Sequence, residues 1–184
     1  GDVDLLELSR ADLETQAEEL ESVRTALERF TRGRFLANLA ATSPLFRALD
    51  PDARRRVLAR FESELVASGD IVIEEGESAP GLFLVLRGEL KVSRRVGGTE
   101  RRLAILRSGQ VFGEISLLHD LPTTATVTAV SPGELLRIRR DQFEEVLRDF
   151  PELWSSLREL SEKRLEAQQR IAGPVATRDS SVML

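Results

Sequence analysis

The residues of this chain whose types and spacing bear most directly on chemistry are Phe112-Gly113-Glu114-Ile115-Ser116-Leu117-Leu118, followed by Leu121-Pro122-Thr123-Thr124-Ala125-Thr126-Val127. A strand that turns at Gly113 into one short helix exposes backbone N–H groups without intrahelical partners at the positive end of a helix dipole, where a phosphate can sit. The expected donors are the N–H groups of Ile115, Ser116 and Leu117. Glu114, beside them, is a poor phosphate ligand but a good acceptor for a sugar hydroxyl. The pair suits a ligand that carries both groups.

A second group of residues has to position the first. Val72-Ile73-Glu74-Glu75-Gly76-Glu77 leads through Gly81 into Leu82-Phe83-Leu84-Val85-Leu86-Arg87-Gly88-Glu89-Leu90, a run of apolar strand residues punctuated by glycine. Gly76 and Gly81 are expected to take positive φ in turns between strands, and Gly88 to allow a tight reversal. Spacing and residue type together resemble the phosphate-binding cassette and glycine-punctuated hairpins of the cyclic nucleotide-binding domain family, over about Ser43 to Leu165. That resemblance implies an antiparallel jelly roll that holds cAMP or cGMP, with Gly113, Glu114, Ile115, Ser116, Leu117, Thr123 and Thr124 as the ligand-binding residues. It implies a regulatory module and not an enzyme.

One departure from the family's pattern stands out. Members that hold a cyclic nucleotide carry an arginine directly after the proline of the cassette, paired to the phosphate oxygens; this chain has Thr123 after Pro122. Loss of a buried, charge-assisted guanidinium contact costs about 2–5 kcal/mol. Binding then weakens by roughly 30-fold to several thousand-fold. Glu114 is expected to remain as an uncompensated negative charge. Thr124 points the other way, because it resembles the hydroxyl that contacts guanine in cGMP-preferring members.

Catalytic chemistry is poorly supplied. His119 is the single histidine and there is no Cys, which removes the usual zinc sets, disulfides and thiol nucleophiles. Ser116, His119 and Asp120 are local neighbours without a nucleophile-elbow pattern. His119 reads as a surface residue on the loop after the cassette helix. Glu74-Glu75 and Glu144-Glu145 are adjacent pairs, so neither pair aims both carboxylates at one bond. Gly97-Gly98 fits a hairpin turn, since no Lys-Ser or Lys-Thr follows. No metal site is expected.

Composition narrows the partners. The chain has 184 residues, 41% of them hydrophobic, and a net charge of −5 from 26 basic and 31 acidic side chains. That balance argues against a surface built for nucleic-acid phosphates. The resemblance extends to transcription regulators whose final helix precedes a helix-turn-helix domain of about 70 residues; here Gly173 to Leu184 is too short for one. No stretch approaches the roughly 20 apolar residues of a membrane span. A cytoplasmic setting is expected, and Gly1, with no initiating Met, is read as a cloning scar or the cut end of a longer protein.

The elements follow from hydrophobic period. Leu6, Leu13, Leu20 and Leu27 recur every seven residues, so 1–42 reads as an N-terminal helical segment, a linker or a dimerisation helix. Within it, Phe35 to Ala40 runs to a stop at Ser43-Pro44. Asp50-Pro51 opens another helix with an N-cap and a first-turn proline. Short strands from about Glu62 to Arg139, with turn signals at Ser68-Gly69-Asp70, Gly76, Gly97-Gly98, Ser108-Gly109 and Ser131-Pro132-Gly133, predict an α+β fold. Its centre, 43–140, is an antiparallel β jelly-roll barrel with its leading helix. Residues 141–172 form a C-terminal helical lid broken at Pro151, and 173–184 a disordered tail.

Two functions stand open at this level. In one, a cyclic nucleotide enters the barrel and the Leu153 to Ile171 helix closes over it, passing a signal to a fused or partner effector protein. In the other, the cassette is degenerate and the domain is a ligand-independent, or nucleoside-binding, interaction and dimerisation module. Leu153, Leu157 and Leu160 on the lid, with the Leu6 to Leu27 stripe, favour a homodimer.

Overall fold

The computed structural model describes residues 43–46 and 48–172. The chain divides into two units, Gly1–Asn38 and Leu39–Leu184, and every described residue belongs to the second. The leucine stripe, the Phe35 to Ala40 stretch and the tail lie outside the described residues.

The chain enters through a 3-10 turn, Pro44–Phe46, and helix α1, Pro51–Leu58. Asp50 caps α1 as its position before Pro51 predicts: its Oδ1 accepts from the N–H groups of Asp52 and Ala53, both at 2.8 Å. Ala53 and Val57 face inward from α1. Eight strands follow: β1 (Glu62–Val66), β2 (Ile71–Ile73), β3 (Gly81–Arg87), β4 (Leu90–Val96), β5 (Thr99–Leu106), β6 (Val111–Phe112), β7 (Thr126–Ala129) and β8 (Gly133–Arg139). A short helix, α2 (Glu114–His119), separates β6 from β7, and α3 (Arg140–Asp149) and α4 (Glu152–Ala172) end the described chain.

The strands make two four-stranded antiparallel sheets, ordered β1-β8-β3-β6 and β2-β7-β4-β5. The expected antiparallel jelly roll is present as two facing sheets, and among the described strands no ladder joins them. Edge strands β2 and β6 have only three and two residues, too short to carry pairing around a corner. Inward residues of both sheets form one core, including Phe83, Val85, Leu90, Phe112, Val127 and Leu135. Phe83 stacks on Phe112 at 4.9 Å between ring centres.

Gly76 and Gly88 have positive φ as expected, and Gly97-Gly98 closes the β4–β5 hairpin. Gly81 does not. It begins β3 with ordinary backbone, and glycine is required there because a Cβ would lie 2.2 Å from the carbonyl oxygen of Ile138 on β8. The constraint is close strand approach, not turn geometry.

Pro151 separates α3 from α4 where expected. Leu153 and Leu157 are 2% and 0% exposed, covered within their own domain. Leu160 is half-buried. These leucines are therefore not the free dimer seam that their spacing suggested; the 3-10 turn, α2 and α3 contact the same helix.

Candidate functional site

The cavity sits where the cassette, the β2-β7-β4-β5 sheet and α4 meet, with a volume of about 120 Å³. Its floor is apolar, formed by side chains such as Ile73, Val92, Leu103, Leu106 and Val127. Ile73, Val92, Leu106 and Val127 are inward positions of their strands, and Leu103 joins them at the register shift between β4 and β5.

The cassette is shaped by backbone geometry. β6 ends at Phe112, and Gly113 turns the chain with φ 90° and ψ −11°. A Cβ there would stand 2.4 Å from the carbonyl oxygen of Gly81, so both the left-handed conformation and the approach of β3 demand glycine. Helix α2 then starts at Glu114 and stops after one and a half turns at Asp120, also left-handed at φ 48°. The loop beyond is strapped to residues 74–77. The Thr123 N–H donates to Glu77 O and the Gly76 N–H to Thr123 O, both at 2.8 Å, while the Thr123 hydroxyl donates to Glu74 O. Thr126 Oγ1 accepts from the Glu75 N–H at 3.1 Å.

Of the expected ligand residues, Gly113, Glu114, Ile115, Ser116, Thr123 and Thr124 come together around the cavity. Leu117, on the same helix, does not line it. Thr123 is buried with its hydroxyl already engaged, whereas no described hydrogen bond occupies the buried Thr124 hydroxyl. His119 is the last residue of α2, not a loop residue, and its Nε2 lies 3.2 Å from Oγ of the fully buried Ser161 on α4.

Glu114 is 1% exposed, and its charge is not left uncompensated. Arg164 reaches in from α4, and its Nη1 donates to Glu114 Oε1 at 2.9 Å and to Val111 O at 2.5 Å. Desolvating a carboxylate this deeply is costly without a partner, and the guanidinium supplies one. Arg164 and Glu114 are the only charged side chains in the cavity lining among the described residues. The sequence held a sign of this. Arg164 follows Leu157 by seven residues and Ser161 by three, which sets it on the inward face of α4. Gln168, one turn further, also lines the cavity, and its buried Oε1 has no hydrogen-bond partner.

A concave, largely apolar cavity with a few convergent polar groups has the character of a small-molecule site. It is closed on one side by a helix that an occupant must touch. Residues 64–150 match the cyclic nucleotide-binding domain family, and this part of the chain belongs to it. The cyclic AMP receptor protein of Thermus thermophilus is 35% identical over 124 residues, spanning 67% of this chain and 57% of that protein. A cAMP-dependent protein kinase regulatory subunit of Yarrowia lipolytica is 35% identical over 104 residues, 56% of this chain and 27% of that protein. Among solved structures, the regulatory domain of Toxoplasma gondii PKA, crystallised with cAMP, superposes with a TM-score of 0.58 at 32% identity. It covers 70% or less of either chain: 63% of this one and 44% of that one. The chain thus spans less than two thirds of the length of either curated relative. The matched region is similar to the cyclic nucleotide-binding regulatory domains of these relatives. Among the described residues no helix is long and apolar enough to cross a membrane, and no cluster of His, Cys, Asp or Glu could hold a metal.

Proposed function

We propose that this domain is a sensor in which occupancy of the cavity by a cyclic nucleotide changes the seating of α4, and that α4 passes the change to an effector region or partner protein. The observation that carries this reading is the Arg164–Glu114 pair. The carboxylate suited to a ribose hydroxyl is the group that tethers the final helix. A ligand whose hydroxyl donates a hydrogen bond to Glu114 must alter that tether, so the empty and occupied cavities bind α4 differently. Differential contact of that kind is what allows a ligand to shift a conformational equilibrium. Thr124 and the first-turn N–H groups of α2 complete the polar side of the site. A cytoplasmic setting and a homodimer accord with this role, the dimer resting on surfaces other than Leu153 and Leu157.

The second reading is a module that works without a cyclic nucleotide, or with an uncharged nucleoside. It is favoured by Thr123, whose hydroxyl is bound to Glu74 O and whose position carries no charge. The sole tryptophan, Trp154, lies 45% exposed on α4 and serves as a built-in reporter. Titration with cAMP, cGMP and adenosine, followed by calorimetry and Trp154 fluorescence, is expected to give saturable binding with a coincident fluorescence change, both abolished in Glu114→Ala. A heat signal and fluorescence that ignore all three ligands would instead leave the ligand-independent module.

A further inference from the structure

We propose that Arg164 on α4 supplies the guanidinium for the ligand's phosphate, so that the cavity selects an anionic cyclic phosphodiester with a cation carried by the lid instead of the cassette. This rests on the sensor reading above. The neighbouring basic residues of α4 show that Arg164 is used differently. Arg158, Lys163 and Arg170 pair with Glu162, Glu159 and Glu166 on their own helix, at i,i+4 spacing and with side chains 65%, 72% and 78% exposed. Arg164 is 24% exposed and turns across to β6 and α2.

Its donors are divided. Both described bonds of Arg164 come from Nη1, to Val111 O and Glu114 Oε1. The Nε–Nη2 edge, a planar fork whose two N–H groups match two oxygens of one phosphate, has no described partner. Neutralising Glu114 needs only Nη1. With Thr123 in the cassette, no other described lining residue carries positive charge. A phosphate beside the buried Glu114 carboxylate requires a cation between the two anions, and Arg164 is the group already standing at that carboxylate.

The consequence is mechanical. A cassette arginine binds phosphate without reference to the lid. An arginine on α4 makes phosphate binding and lid seating one event, so the charged ligand and its uncharged nucleoside should differ in affinity and in their effect on α4.

The test is calorimetric titration with cAMP and with adenosine on the whole chain, on Arg164→Ala and on the double variant Arg164→Ala/Thr123→Arg. Thermal melts would establish that each variant is folded. The unsubstituted chain is expected to prefer cAMP to adenosine. Arg164→Ala is expected to lower cAMP affinity by roughly 30-fold or more and to erase the preference. The double variant, with a guanidinium returned to the cassette, should regain the preference while losing the Trp154 response to cAMP. Equal affinity of the unsubstituted chain for both ligands, or an unchanged cAMP-to-adenosine ratio in Arg164→Ala, would overturn the assignment while leaving a sensor in place. Silence of the unsubstituted chain toward both ligands would instead remove the sensor reading itself, and this inference with it.

Discussion

The two sheets of the sandwich are built from similar strands but live in different surroundings. In the β1-β8-β3-β6 sheet, β3 buries six consecutive residues, Gly81 to Leu86, so both its faces are covered. The other sheet ends in β5, whose first four residues are all exposed and whose only fully buried residue is Leu106. A strand covered on both faces reads as a continuous apolar run, and a strand with one wet face alternates. The difference separates rigidity from function. The covered sheet supplies the frame against which Gly81 and Gly113 fix the cassette, while the half-open sheet lends its inner face to the cavity floor.

The sharpest way to break that comparison is to truncate one apolar side chain on each sheet. Phe83 is 1% exposed and stacked on Phe112, and Phe83→Ala is expected to cost about 3–5 kcal/mol in chemical denaturation. Leu103, half-buried beside the cavity, borders space already empty, and Leu103→Ala should cost less than about 1 kcal/mol. Equal losses at the two positions would show that the cavity sheet is as tightly packed as the frame.

Between the two extremes lies the Arg164–Glu114 pair, which belongs to the cavity but is buried like the frame. Removing Arg164 alone leaves the Glu114 carboxylate buried without its counter-charge. Breaking a fully buried pair costs about 3–5 kcal/mol, and the partial exposure of Arg164 lowers the expected loss to about 2–3 kcal/mol. Replacing both by leucine should recover most of that loss, since a matched apolar pair avoids desolvating either charge. A double-mutant cycle read by urea melts gives the coupling directly. Additive single losses would mean that Arg164 is held by α4 packing and not by Glu114, and the tether would lose its physical basis.

What could be read from the amino-acid sequence divides along the same line. β3 was legible because Leu82 to Leu86 is an unbroken apolar run. The cassette was legible because Gly113-Glu114 after Phe112 leaves few other backbone shapes. Local signals, namely the Asp50-Pro51 cap, the Gly97-Gly98 hairpin and the Pro151 break, also held, because each depends on residues adjacent in the chain. Contacts between distant segments were harder. Gly81 looked like a turn glycine because the approach of Ile138, 57 positions away, leaves no local trace. Leu153 and Leu157 looked like a dimer seam because periodicity reports that a face is apolar without reporting what covers it. Arg164 was legible only in part: its spacing from Leu157 and Ser161 marks an inward position, but nothing local names Glu114, 50 residues earlier, as its partner.

The gentlest probe of the comparison is acid. Asp50, capping α1, and Glu100, on the exposed start of β5, both have carboxyl groups held below their ordinary range. The causes differ. Asp50 is held down first by the hydrogen bond from the Ala53 N–H, with the Asp52 N–H adding to it. Glu100 is held down first by its hydrogen bond with Lys91, 2.6 Å away across the hairpin. A carboxyl depressed on folding contributes stability that is present above its unfolded pKa of about 4 and is lost as pH falls through the folded value. Both residues should therefore steepen the decline of melting temperature below about pH 4, and Asp50→Asn and Glu100→Gln should each flatten it. Salt then tells them apart. The Lys91–Glu100 pair is solvent-exposed, so raising ionic strength to about 1 M, where screening acts within about 3 Å, should abolish the benefit of Glu100. The cap of α1 is made of short backbone hydrogen bonds, and asparagine caps nearly as well as aspartate. Asp50→Asn should accordingly keep its melting temperature at neutral pH, and the acid sensitivity due to Asp50 should survive high salt. Loss of both contributions in salt would mean that the helical side, like the open sheet, depends on exposed charge at its margin.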